Sequence, residues 1–335
     1  MAYEPVPLNN TTLSKTLAHY ATVYYKKRGL DRLMKKFHFD RPCEHDILPR
    51  QSGRVVQFFR YNNMAANTTP KSPEGAVGTS QSVSSRVLTA YVSQYSDFIT
   101  LSDLLVDTAI DPVVQSMAEL LGYRAGLSVD TITRTIIDAE FSNASVSPLD
   151  TTNNKIATAD FRNVRAILTG ADVEPFDDGY FIAIMHPYVT YDLLNDSTAN
   201  SLIDIQKYTK VPGEMVKPED RGHLATVAGF KIYESTNVWT QATPARWRAY
   251  FFGKGGVGCV DLEGRGPNRI TDPKKQRFDV SVIRGERSIY DPEGIIGAAV
   301  SYKFVYTAVV LEGPSGIGGT YRFRLMNAAS GVVAS

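Results

Sequence analysis

The residues of this 335-residue chain whose types and spacing could do chemistry form four small groups. Gly253-Lys254-Gly255-Gly256-Val257-Gly258 follows an apolar, strand-like run, as a phosphate-cradling loop would. Such a loop aims backbone N–H groups at phosphate oxygens and ends in a Lys-Ser/Thr pair whose hydroxyl holds Mg²⁺. Here Cys259-Val260-Asp261 stands in that place. The metal ligand is missing, so a glycine turn at a strand end is the preferred reading. His38, Cys43 and His45 are zinc-ligand types, but their spacing is irregular and no second cysteine pair accompanies them; incidental histidines on a surface arm are the preferred reading. His186-Pro187 could supply an acid or base. No serine, cysteine or carboxylate beside it completes a catalytic constellation, and a helix-start histidine with Pro187 in the first turn is preferred. Asp177-Asp178-Gly179 offers two carboxylates to a metal, yet it precedes a strand and reads as a turn. The expectation is a chain with no catalytic site, no cofactor and no metal.

The elements that hold these groups belong to an ordinary globular chain. With 43% hydrophobic and 21% charged residues it can bury a sizeable core, in two or three subdomains. No apolar run approaches the ~18 residues that a bilayer-crossing helix needs, so no membrane partner is expected. The opening MAYEPVPLNNTT lacks an apolar core behind a basic start and is no signal peptide; the chain is expected to keep its leading segment through maturation. Cys43 and Cys259 are the only cysteines, which fits a reducing cytosol and no disulfide framework.

Net charge is only +1, but it is unevenly placed. Up to Arg60 there are eleven basic residues (Lys15, Lys26, Lys27, Arg28, Arg32, Lys35, Lys36, Arg41, Arg50, Arg54, Arg60) against five acids (Glu4, Asp31, Asp40, Glu44, Asp46), so the remainder is net acidic. Tyr24 to Phe37 interleaves aromatics with lysines. Two readings stand: bases and phosphates could stack on and pair with this stretch, or it is a solvated basic helix face with its tyrosines and leucines packed inward.

Periodicity supplies the order of elements. Asn10 or Thr11 caps a helix with Leu13, Leu17, Tyr20 and Tyr24 on one face, interrupted at Gly29. Two strand-like runs, Arg54 to Tyr61 and Val83 to Tyr95, enclose the polar tip Asn62 to Gln81; the second alternates Val87, Thr89, Tyr91, Ser93 and Tyr95 against Leu88, Ala90 and Val92. This is a long hairpin, and a lone two-stranded ribbon is too poor in core to be stable unaided. A neighbouring subunit is its natural support. Asp111-Pro112 opens a helix with the stripe Val113, Met117, Leu120, Leu121, Ala125, Val129, Ile132, Ile136, running to about Phe141 for about 45 Å, with Gly122 and Gly126 marking a bend or close packing. After a polar break at Asn143 to Asn154 come a helix (Ala159 to Leu168), a strand (Gly179 to Met185), a helix (Tyr188 to Leu194), strands at Ala225 to Glu234, Trp247 to Phe252 and Phe278 to Ile283, a final long strand or strand pair at Ile295 to Leu311, and a Gly/Ser-rich tail. The alternation is α+β, without internal repeats.

This order of basic arm, long hairpin, long helix, α+β domain and final strand resembles the major capsid (coat) protein of tailed bacteriophages, with the capsid fold of the Hong Kong phage type. YNNMAANTTPKSPEG at the hairpin, TLSDLLVDTAIDPVVQSMAELLG entering the helix, MHPYVTYDLLND and GHLATVAGFKIYESTNV carry the likeness, which spans nearly the whole chain. The resemblance implies an N-terminal arm (1–52), an extended hairpin loop (53–97), a peripheral domain with the long helix as its spine (98–158), an axial domain (159–293), and a peripheral return strand with C-terminal tail (294–335). It implies a structural protein that self-assembles into hexamers and pentamers of an icosahedral shell around double-stranded DNA, built in the bacterial cytoplasm, with portal, scaffolding and decoration or cement proteins as partners.

Within that picture Arg54, Arg60, Tyr61, Lys71, Glu74 and Arg86 are the expected intersubunit contacts of the hairpin, and Lys26, Lys27, Arg28, Arg32, Lys35 and Lys36 face the packaged DNA, read without sequence specificity. One member of the wider fold class crosslinks a hairpin lysine to a neighbour's asparagine. Lys71 is the only hairpin lysine here, nothing identifies a partner asparagine, and a non-covalent ion pair is the preferred role. The alternatives are an encapsulin-type compartment enclosing protein cargo and, from a different class, a nucleotide-dependent enzyme using Gly253 to Gly258.

Overall fold

The computed structural model describes residues 38–49, 51–61, 64, 66–68, 80–109, 112–149, 154–195, 223–262, 278–284, 296–312 and 321–330. Contacts within the chain gather into two compact units, one containing Ser93–Asp130 and Leu262–Tyr306, the other His38–Val92, Thr131–Asp261 and Thr307–Ser335.

The core of the second unit is a mixed six-stranded sheet. Its strands are β5 (Phe181–Met185), β6 (His223–Val227), β7 (Phe230–Glu234), β8 (Thr240–Gln241), β9 (Arg246–Phe252) and β13 (Phe323–Ala328), ordered β13-β9-β5-β7-β6 with β8 beside β9. β5 and β7 pair in parallel, and the other pairings are antiparallel. Tyr250, Phe251 and Phe252 of β9 are wholly buried, which explains why this strand reads as a continuous apolar run rather than an alternation. The helix α4 (Thr158–Gly170) packs Phe161 edge-on to Phe230 and Phe251, with ring centroids 5.8 and 5.3 Å apart. Its first turn is preceded by Ala157, which has no side-chain acceptor. Asp160 supplies the reciprocal bond instead, accepting from the Ala157 N–H at 2.8 Å and the Leu149 N–H at 2.7 Å, and so ties the preceding loop to the helix start.

Two expectations change here. The run Ala225 to Glu234 is two strands, not one, reversed through Ala228 and Gly229, both with positive φ (49° and 86°). The closing stretch also holds a strand, β13, with Phe323 and Leu325 fully buried. Six residues between glycine-rich flanks carry too little pattern to be told from a tail.

The first unit contains β4 (Ser93–Ser102), α1 (Asp103–Thr108), the start of α2 (Val113–Ala139), β11 (Phe278–Arg284) and most of β12 (Ile296–Val310). β4 and β11 both pair antiparallel with β12. That sheet continues through β10 (Val257–Leu262) and β1 (Cys43–Leu48) in the order β1-β10-β12-β11. Tyr95 stacks on Phe304 at 5.2 Å, and Arg124 of α2 reaches Asp97 of β4 at 2.8 Å. Gly297 sits at a register shift where a Cβ would lie 2.6 Å from the Asp103 Cα, so glycine is required for β12 to pass the start of α1.

The long helix is present over 27 residues, about 40 Å, and is followed by the short α3 (Phe141–Ala144). Its buried stripe is Val114, Ala118, Leu121, Ala125, Val129 and Ile137, with Gly122 and Gly126 on the same face. Leu120, expected in that stripe, is exposed. With Leu120 and Leu121 adjacent, periodicity allowed either as the centre of the apolar face; packing selected the second.

Candidate intersubunit surface

β2 (Val55–Tyr61) and β3 (Ser85–Tyr91) form a two-stranded antiparallel sheet of their own, as the hairpin reading expects. The second run is shorter than expected. It breaks at Val92, whose N–H donates to the Arg54 carbonyl at 3.1 Å, and from Ser93 the chain joins β12 instead. The register pairs Val55 with Tyr91, Gln57 with Thr89, Phe59 with Val87 and Tyr61 with Ser85 on one face, against Val56 with Ala90 and Phe58 with Leu88 on the other. Val56, Ala90 and Val92 are buried. The opposite face is open: Phe59 is 67% exposed, Tyr61 72% and Tyr91 67%, with Val55, Val83 and Val87 exposed beside them. A ribbon face that exposes this many large apolar side chains around the single polar pair Gln57–Thr89 marks an interaction site.

Of the contact residues expected from sequence, Arg54 and Tyr61 are exposed on this ribbon, and Arg60 and Arg86 stand directly opposite one another in its register. Lys71 and Glu74 lie outside the described residues, as do Lys26, Lys27, Arg28, Arg32, Lys35, Lys36 and the helix expected after Asn10. The residues that sequence reasoning passed over are Val55, Phe59, Val87 and Tyr91. A signal for them existed: RVVQFFRY is apolar on both faces, more than a ribbon covered on one side needs.

Solved structures share this architecture. The chain superimposes on the capsid of Ralstonia phage GP4 with TM-score 0.66 at 11% identity, covering 90% of this chain and 93% of that one. The capsid of the cyanophage P-SCSP1u follows at TM-score 0.57 and 12% identity, covering 86% of each chain. Mycobacterium phage Che8 gives 0.52 at 13%, covering 82% of this chain and 85% of that one. This chain has the tailed-phage capsid fold. No family model matches the sequence, and no curated relative does.

Within this capsid fold the chemistry-bearing groups have structural tasks. Gly253 to Gly258 connects β9 to β10, between the two large sheets, and is not followed by a helix whose N-terminus could face phosphate. Its glycines answer to crowding: a Cβ on Gly253 would lie 2.2 Å from Val173 Cγ1, one on Gly258 2.9 Å from Leu311 Cδ2, and Gly255 has φ +75°. The Gly253 N–H donates to the Arg322 carbonyl at 2.8 Å and the Lys254 N–H to the Glu174 carbonyl at 3.0 Å, so these amides are already used. Asp177 and Asp178 part company, the first to Lys254 at 2.5 Å and the second to Lys231 at 2.8 Å, around a turn closed by Gly179 at φ +77°. Buried Cys43 donates to the Phe39 carbonyl, and His45 bonds to the Asp40 carbonyl at 3.1 Å.

His186 is a helix-start residue, as expected. Its Nδ1 accepts from the Tyr188 N–H at 3.1 Å and caps α5 (Pro187–Leu194), with Pro187 at the first position. The ring stacks on Trp247 at 5.6 Å. Accepting at Nδ1 requires an unprotonated nitrogen there. Burial holds this imidazole's pKa below its ordinary 6.5, with the Glu234 carboxylate opposing in part. The unfolded chain therefore takes up this proton at higher pH than the folded one, and stability falls as pH drops through about 6.5 toward the folded value. His186→Asn retains a capping acceptor but cannot titrate. Denaturant midpoints between pH 7.5 and 5.5 are expected to fall less in the variant than in the parent, and identical slopes would refute the assignment.

Proposed function

We propose that this chain is the major capsid protein of a tailed phage, a structural subunit of the Hong Kong type that self-assembles into hexamers and pentamers of an icosahedral shell enclosing double-stranded DNA. The observation that carries the reading is the pairing of a capsid fold over nine-tenths of the chain with a ribbon whose apolar face is left uncovered among the described residues. A closed symmetric shell repeats one modest contact many times, so a weak pairwise interface yields a stable particle. No step of covalent chemistry enters this function. Residues 1–52 act as the arm, 53–97 as the extended loop, 98–158 and 294–335 as the peripheral domain, and 159–293 as the axial domain. The subunit assembles in the bacterial cytoplasm and resides in the virion, with portal, scaffolding and decoration proteins as partners.

The similar structures named above are phage capsids, which supports a nucleic-acid cargo, and the arm's basic excess fits it. Dense phosphate at an inner wall attracts such a segment without reading sequence. The expected result of changing Lys26, Lys27, Lys35 and Lys36 together to Gln is shells of normal size, seen by electron microscopy, that retain markedly less DNA. Failure to form shells would instead assign these lysines to an intersubunit contact, and unchanged assembly and DNA content would make them a solvated face. Electron microscopy of the expressed wild-type chain tests the function itself: closed shells are expected, and subunits that stay monomeric with the other phage products present would overturn it.

A further inference from the structure

We infer that Asp46 and Asp97 are edge guards: each carboxylate holds the backbone N–H of the exposed apolar residue that follows it, and so denies a second copy of this chain the donor it needs to add a strand there. β1 closes one end of the order β1-β10-β12-β11, and β4 has β12 as its only partner among the described strands. A strand at a sheet edge offers unpaired N–H and C=O groups to any strand that arrives, and an apolar side chain beside them makes the addition favourable. Both strands carry that hazard. Ile47 of β1 is 39% exposed and Phe98 of β4 67%. In each case the preceding residue is an aspartate that turns back on the chain: the Ile47 N–H donates to Asp46 Oδ1 at 2.8 Å, and the Phe98 N–H donates to Asp97 Oδ1 at 2.9 Å. Both bonds lie inside a strand, where they serve neither a turn nor a helix cap.

The surroundings of Asp46 agree with this role. Glu44, His45, Asp46 and Ile47 are exposed in succession, so both faces of β1 are open, as an edge strand shows and an inner one does not. Pro42 and Pro49 bracket the strand, and neither has an N–H to give to an added partner. β1 is therefore short, acidic and closed by prolines, the features that keep an edge unpaired. β4 has none of them. It runs for ten residues without a proline, and Asp97 is its only charged residue. Arg124 of α2 lies 2.8 Å from the second oxygen of that carboxylate, which keeps the first one placed over the strand. The consequence of leaving such an edge unguarded is open-ended growth, because every added strand presents a new edge, and the product is a fibre rather than a closed particle.

Alanine and asparagine at each position separate the hydrogen bond from the charge, since both remove the charge and only asparagine keeps an Oδ1 that can accept. In the full-length chain Asp46→Ala is expected to raise thioflavin-positive aggregate, seen as fibrous material by electron microscopy, about fivefold over the parent, while Asp46→Asn stays near the parent. Asp97→Ala is expected to raise it further, because β4 is longer and has no second guard, with Asp97→Asn again near the parent. Melts by circular dichroism show whether the aggregating chains are folded. Should an alanine variant melt earlier than the parent, Ile47→Pro is added to Asp46→Ala, or Phe98→Pro to Asp97→Ala. Removing the N–H itself is expected to return the aggregate to the parent's level, which it would not do for a chain that aggregates by unfolding, and failure to do so counts against the guard. Alanine variants that stay at the parent's level, or asparagine variants that aggregate as the alanine ones do, would overturn the inference at that position and leave the shell function standing.

Discussion

Replacing Asn62 to Gln81 by a two-residue Asn-Gly turn is expected to leave a folded subunit that forms no closed shells. The β2–β3 sheet is separate from both larger sheets, so shortening its connection touches no strand of either core. What the ribbon lacks, among the described residues, is cover. Burying a side chain such as Phe59 or Val87 is worth about 1.5–3 kcal/mol, part of which is offset by the freedom lost on association. A shell recovers the surplus at every copy, and a subunit whose hairpin cannot reach its neighbour recovers none. Circular dichroism should report an unchanged subunit, and sedimentation should report monomers or small oligomers. Normal shells from the shortened chain would show that the tip's contacts do not hold the particle together.

The second large effect concerns the subunit itself. Asp138, near the end of α2, accepts from Arg248 Nη1 at 2.6 Å and from the Tyr250 hydroxyl at 2.8 Å, and lies 3.5 Å from Arg134 Nε. Arg248 is buried, with its guanidinium between the rings of Phe141 (3.8 Å) and Trp239 (4.2 Å) and its Nε donating to Asn327 at 3.3 Å. Arg134 also donates to Asn237, so the network joins the helix, β9, the β7–β8 loop and β13. Burial, and then the Asp138 carboxylate, hold the Tyr250 phenol protonated well above its ordinary range. Removing one partner of a buried pair strands the other charge, and Asp138→Ala is expected to cost about 3–5 kcal/mol. Arg248→Met paired with Asp138→Leu removes both charges and is expected to cost clearly less than the single change. Urea titrations of the two variants against the parent decide it; a loss below about 1 kcal/mol for Asp138→Ala would show that the network is not a stabilising clamp.

Much of this protein is written locally in the chain. The hairpin runs, the 27-residue helix after Pro112, the helix start at His186-Pro187 and the long strand after Gly294 follow from periods of two and 3.6, from proline and glycine, and from capping. The glycine loop could be dismissed as a phosphate site from sequence because a missing Lys-Ser/Thr pair is itself a local fact. Periodicity states that a face is apolar; it does not state which surface covers it. That is why tertiary structure alone separated Ser93 from the hairpin and gave it to β12, chose Leu121 over Leu120, and brought Phe323 to Ala328 into the core. The same limit hid Asp138 from Arg248, which are 110 residues apart. It also hid the ribbon face of Phe59 and Tyr91, because an exposed apolar side chain differs from a buried one only in what the rest of the fold places against it.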